Sequence, residues 1–191
     1  MLWEGQGGNI ISLKRISHIL SFYIKRNQIN LHIVSDPKFI KISGTNVYGN
    51  TKNIIYKIMG FKKNIFFYDW SVSNLKKVSQ KCDFGIIPMF NYNNGMYAHK
   101  PANKLHLLWR LGLPSLVSPS PSIKKSVIKS KTNLLCFNDK DWKNNLDNIM
   151  MNKKKNLKLK KKVKKYIEKE YSDKKIFSLW NKVLTKTIYV K

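Results

Sequence analysis

Lys100, Ala102, Asn103 and Lys104 stand together at the start of an apolar, helix-forming run. A helix N-terminus presents unpaired N–H groups and the positive end of the helix dipole. With two ammonium groups beside it, the chemistry it suits is capture of a phosphate. Asn103 could donate to a phosphate oxygen or cap the helix start. A second segment of similar character is Gly5-Gln6-Gly7-Gly8-Asn9, whose glycines would let the backbone approach a diphosphate. The dinucleotide fingerprint G-x-G-x-x-G is not met, because its third glycine falls on Ile10. That disfavours a nicotinamide or flavin cofactor.

Acid–base chemistry near neutral pH would fall to His99 or His106. His18 lies within a helical pattern and His32 alternates with apolar strand residues, so both read as structural. Pro88 and Met89 follow an apolar strand, and Tyr92 and Tyr97 sit in the polar loop after it. With His99 and His106, Pro88, Met89 and Tyr97 are the candidates for contact with a base or a sugar. The four His and two Cys are not spaced as metal ligands. No nucleophile–base pair follows from spacing either, so no catalytic residue and no metal site is assigned.

Positioning these residues falls to a regular alternation of elements. Residues 2–9 read as the end of a strand running into a glycine-rich turn, and apolar runs predict further strands at 29–34, 64–68, 83–89, 114–117 and 133–137. Helical spacing predicts helices at 10–26, 51–59, 72–81, 100–112, from about 122 to 129, 141–151, 158–169 and 173–184. In the first of these Ile11, Leu13, Ile16, Ile19, Leu20 and Tyr23 share a side, and residues 38–50 read as a loop. The segment Asp69-Trp70-Ser71 is placed to cap the 72–81 helix. Pro101 fits a first helical turn, Gly112 stops that helix and Pro114 prevents its restarting. The alternation implies an α/β, Rossmann-like parallel sheet of about six strands with helices on both faces, plus C-terminal helices. The chain reads as a single domain, 1–191, with a core of about 1–150 and basic helices from about 151. Ligands of such sheets bind outside the carboxyl ends of the strands. Residues 5–9, 88–99 and 100–104 all fall there.

Asn103-Lys104, followed by an apolar helix, Leu111-Gly112-Leu113-Pro114 and a strand, resembles the donor-site helix of retaining GT-B glycosyltransferases. The resemblance runs from Trp3 to Leu184, with a Tyr171-Ser172 turn and the late Trp180 near its end. It implies the C-terminal, donor-binding domain of a glycosyltransferase. Its ligand would be a nucleoside-diphosphate sugar as substrate, with no cofactor, and its product a polysaccharide or lipid-linked glycan. The sequence departs from the pattern where the family carries a Glu expected to hold the donor ribose. That position is Leu107, which cannot accept the hydroxyls. Such enzymes place the active site between two domains, so the expectation is a separate acceptor-domain chain or a truncated product.

The chain of 191 residues is 42% hydrophobic, enough for a sizeable core. It lacks the basic start and apolar run of a signal peptide and any stretch able to span a bilayer. Cys82 and Cys136 show no C-x-x-C spacing, which suits a reduced, cytoplasmic setting. The net charge of +27 draws a protein toward anionic lipid or nucleic acid. Lys, Asn and Ile are all frequent, so an A/T-biased genome accounts for much of that charge. Residues 153–165 are mostly Lys and contain no aromatic side chain, which speaks against nucleic acid as partner. An anionic membrane surface remains, placing the protein peripherally at the inner face. Two further readings stand beside the enzyme: a non-catalytic nucleotide-binding or interaction domain, and a basic surface-binding domain.

Overall fold

The structure is a computed structural model that describes residues 1–40, 48–90 and 95–188. Five parallel strands form the central sheet: β1 (Leu2–Glu4), β2 (Leu31–Ser35), β5 (Ile65–Asp69), β6 (Gly85–Ile87) and β7 (Ser115–Val117). Their order is β5-β2-β1-β6-β7. β1 registers with β2 through Leu2↔His32, Trp3↔Ile33 and Glu4↔Val34, and with β6 through Leu2↔Gly85. β1, β2, β6 and β7 are buried along their length, as strands covered by helices on both faces must be. From β1 the chain winds outward to β2 and β5, then returns to the other side of β1 for β6 and β7. The order therefore reverses between β1 and β6.

The expected α/β class is found, with two local differences. Residues 133–137 contribute a single parallel bridge, Val117↔Leu135, instead of a sixth strand. Within the expected loop, β3 (Lys38–Ile40) and β4 (Tyr48–Asn50) pair as a small antiparallel ladder.

The first helix also differs. Gly7–Ile16 is a 3₁₀ helix, and α1 follows at Ser17–Lys25. The buried residues of the first part are Gly7, Ile10, Leu13 and Ile16. They recur every third position, the period of a 3₁₀ helix. Ile11, expected on the buried side, is 38% exposed. In α1 the buried pairs Ile19/Leu20 and Tyr23/Ile24 restore the four-residue step.

The remaining helices are α2 (Thr51–Met59), α3 (Val72–Ser79), α4 (Gly95–Ala98), α5 (Asn103–Arg110), α6 (Pro121–Ser130), α7 (Asp139–Met151), α8 (Lys153–Glu170) and α9 (Asp173–Ile188). Of the segment 69–71, it is Ser71 whose Oγ caps α3, by accepting from the Asn74 N–H. Gly112 ends α5 with φ of +76°, the left-handed conformation that glycine adopts most readily. Pro101 lies before α5 and outside its first turn. The N-cap is Ala102, whose carbonyl accepts the helical bond from the His106 N–H. α8 packs Val163 and Ile167 into the core, and Tyr166 meets the Trp109 ring edge-on at 5.5 Å.

His32, within β2, stacks on Phe66 at 5.0 Å between ring centroids, and its Nδ1 lies 3.2 Å from the Tyr68 hydroxyl. Burial, with the N-terminal ammonium and Lys81 adding positive charge, lowers its pKa to about 4. The unfolded chain, with an ordinary imidazole near 6.5, binds the proton more readily. Stability should therefore be complete above pH 6.5 and decline as pH falls toward 4. The expected loss is on the order of 2 kcal/mol. Urea unfolding at pH 7 and pH 4.5 checks this, and His32→Phe should flatten the difference.

Candidate functional site

At the carboxyl ends of β1 and β6, where the strand order reverses, a cleft of about 140 Å³ opens. Trp3, Gly8, Asn9, Ile11, Pro88, Met89, Lys100 and Lys104 are among the residues that line it. Three elements meet here: the end of β1 with the start of the 3₁₀ helix, the segment after β6, and the start of α5. Open α/β sheets bind ligands at this topological switch point.

Lys104 is the second residue of α5 and points back across the end of β1. Its Nζ lies 5.0 Å from the centroid of the Trp3 ring, within reach of a cation–π attraction. It also abuts Gly5, where a Cβ would overlap the ammonium. Burial lowers the Lys104 pKa, the Glu4 carboxylate acts in the opposite direction, and Lys100 adds to the lowering. Among the described residues no carboxylate forms an ion pair with Lys104. Glu4 is buried, and its Oε1 accepts from Trp70 Nε1 at 3.1 Å.

The α5 terminus adds to this. Ala102, only 5% exposed, occupies the N-cap and makes no side-chain cap. A Ser or Asp there would stabilise the helix by about 1 kcal/mol. The first-turn N–H groups are thus left without a side-chain acceptor, beside a partly buried cation. Such a start suits an anion.

The other expected residues divide between the cleft and its surroundings. Gly8, Asn9, Pro88, Met89 and Lys100 line the cleft with Lys104. The Asn9 N–H donates to the Gln6 carbonyl, and the Met89 N–H donates to Ser118 Oγ. Gly7 is committed elsewhere. Its N–H donates to Asp36 Oδ2 at 3.2 Å, and a Cβ there would come within 2.5 Å of the Lys38 carbonyl oxygen. Gly7 thus lets the 3₁₀ helix pack against β3 and α2. Asn103 is exposed at the first position of α5 and caps nothing.

His99 is exposed beyond α4 and does not line the cleft. His106 faces away from it. Its Nε2 is 2.9 Å from Ser126 Oγ, and its ring lies 4.0 Å from that of Tyr171. Burial first, and Arg110 second, lower its pKa. Tyr92 lies outside the described residues, as does the side chain of Tyr97 on α4.

Trp3 is the cleft residue that sequence reasoning passes over. Its signal was present, since a large ring two residues before a glycine at a strand's carboxyl end must lie beside the turn. Among the described residues no group of three His, Cys, Asp or Glu gathers as a metal ion would require. Cys82 and Cys136 are buried free thiols. No helix among the described residues is long and apolar enough to cross a membrane.

No protein-family model matches this sequence, and no curated protein sequence does. Solved structures do. WaaG, a glycosyltransferase involved in lipopolysaccharide biosynthesis, superposes with a TM-score of 0.65 at 12% identity. A mutant of the Thermobaculum terrenum O-GlcNAc transferase superposes with a TM-score of 0.61 at 10% identity. The matches cover 90% and 92% of this chain but only 43% and 32% of those proteins. At these identities the likeness is one of fold: the chain shares the Rossmann-like α/β architecture of part of two glycosyltransferases.

Proposed function

We propose that the cleft binds the diphosphate of a nucleoside-diphosphate sugar, and that the chain is the donor-binding domain of a glycosyltransferase. The acceptor would be a glycan or a lipid-linked saccharide met by a separate chain or domain. The observation that carries this reading is Lys104: a partly buried cation whose pKa burial lowers, with no ion-paired carboxylate among the described residues, held against an uncapped helix start. Its desolvation is offset when an anion arrives. The catalytic contribution would be electrostatic, since the developing charge on a departing diphosphate is what Lys104, Lys100 and the α5 amides can stabilise. His99 and His106 stand outside the cleft, so the scheme assigns no acid or base to this chain.

The cleft is smaller than the roughly 300–1,000 Å³ of a complete small-molecule pocket. It suits the diphosphate part of the ligand, with the sugar and base contacted elsewhere. Leu107 is half-buried against the core and offers no acceptor to a ribose. Pyrophosphate should therefore bind within about tenfold of UDP, GDP or ADP, because the diphosphate supplies most of the affinity. Calorimetric titration of the chain at about 0.15 M salt, where surface charge is largely screened, tests this. Saturable binding of these ligands is the expected result, and its absence for all of them refutes the reading. Leu107 also favours a second reading, a nucleotide-binding domain without turnover. Consumption of a donor sugar by the chain alone would exclude it.

A further inference from the structure

A carboxylate stands next to the cleft's cation and does not pair with it. Lys104 Nζ abuts Gly5, and the residue before that glycine is Glu4. Among the described residues no ion pair joins the two. Glu4 is only 8% exposed, so its carboxylate needs a partner within the protein. That partner is Trp70, whose Nε1–H donates to Glu4 Oε1 at 3.1 Å. An indole N–H can only donate, and a bond to an ionised acceptor is among the stronger hydrogen bonds.

Trp70 is held in place by its neighbours. It directly follows β5, and its backbone N–H donates to the Ser35 carbonyl at 3.0 Å. On one side the Asp69 carbonyl accepts from Asn74 Nδ2 at 2.9 Å, and on the other Ser71 Oγ caps α3. The Trp70 ring is 47% exposed and adds little to the core. Its N–H is the part with a buried acceptor. The backbone around Glu4 is fixed as well, since Glu4 registers with Val34 and the Gly5 N–H donates to the Val34 carbonyl at 3.2 Å. What remains free to change is the rotamer of the Glu4 side chain.

We propose that Trp70 is a positioning residue for the cleft: its indole N–H holds the Glu4 carboxylate off Lys104 and so keeps the ammonium open to a diphosphate. This rests on the diphosphate reading given above. Released from Trp70, the carboxylate would turn to the ammonium beside Gly5, and the two would neutralise each other in place of the ligand. A site that is self-paired most of the time binds with an affinity cut by the fraction left open. Glu4 is already within electrostatic reach, because it opposes the effect of burial on the Lys104 proton. Lys100 is the other charged group that acts there.

Trp70→Phe keeps a ring and removes the N–H. Calorimetric titration of the whole chain with pyrophosphate at about 0.15 M salt should show affinity lowered about tenfold, a competent fraction of about one in ten, with the circular dichroism unchanged. Adding Glu4→Gln to this variant should restore the affinity, because a carboxamide has no charge to pair with Lys104. Full affinity in Trp70→Phe overturns the proposal. So does a loss that Glu4→Gln fails to restore, which would mean that the ring supports the cleft by packing alone. A second readout needs no ligand. The NMR resonance of the Lys104 ε-methylene carbon, assigned by its absence in Lys104→Met, should titrate at higher pH in Trp70→Phe and fall back in the double variant. If that titration shifts while the unsubstituted chain binds no pyrophosphate, the diphosphate reading fails and the positioning of Glu4 by Trp70 stands. A titration that Trp70→Phe leaves unmoved overturns the positioning itself.

Discussion

Lys104→Met should reduce affinity for pyrophosphate and for nucleoside diphosphates by about tenfold to a hundredfold, the loss of one charge-assisted contact of about 1.5–3 kcal/mol. The thermal midpoint should hold or rise. Because burial depresses the Lys104 pKa, the unfolded chain holds this proton more tightly than the folded one. A charged Lys104 is therefore a cost to folding at neutral pH, relieved only as pH climbs toward the ordinary lysine range. Met keeps an unbranched apolar stem at this position and removes the cost. Calorimetry and thermal unfolding of the same variant read both effects. Unchanged affinity would remove the diphosphate from this cleft, and lost affinity with a large drop in midpoint would reassign Lys104 to the fold.

Gly5→Ala should lower diphosphate affinity about tenfold while lowering the unfolding midpoint less than Gly7→Ala does. The added methyl overlaps the Lys104 ammonium and lies 3.2 Å from the Trp3 ring. The nearest atom is the end of a flexible side chain and can swing aside, while the Gly5 φ of +159° adds a backbone cost for any side chain. What yields is the position of the charge. A displacement of about 1 Å in a positioned group is enough to lose much of its effect. Gly7→Ala is the useful contrast, because its methyl would meet backbone oxygen, which cannot swing aside. That substitution should destabilise the protein by about 1–3 kcal/mol. Parallel titration and urea unfolding of the two variants separate these outcomes. If Gly5→Ala destabilises as much as Gly7→Ala, its glycine serves packing and not the ammonium.

How much of this was legible beforehand differs by element. The alternation of apolar strands with helices implied the parallel sheet, because strands buried on both faces cannot hide their composition. The convergence of residues 5–9, 88–89 and 100–104 followed from the rule that ligands sit at strand carboxyl ends. The ladder of β3 and β4 was not legible, since its strands are three residues each and surrounded by Gly, Asn and Lys. His106 and His99 looked chemical by type alone, yet nothing in one sequence says which way a ring on a helix or loop will face. His106 lies two residues beyond Lys104, and that step turns it through roughly 200°, toward Ser126 and Tyr171. Gly5 and Gly7, two of the three glycines of the turn, have different tasks, one clearing space for an ammonium and the other for a carbonyl. Only the distances separate them.

The 3₁₀ helix that follows β1 has a metric consequence. Its ten residues, at about 2.0 Å of rise each, cover about 20 Å, where an α-helix of the same residues would cover about 15 Å. The difference is close to one α-helical pitch. The segment is therefore a spacer whose length depends on its winding, and the tip of the glycine turn lies at one end of it. Rewinding it would move Gly8 and Asn9 relative to α1 by about 4 Å without adding or deleting a residue. The three-residue spacing of Gly7, Ile10, Leu13 and Ile16 sets the gauge at its longer value.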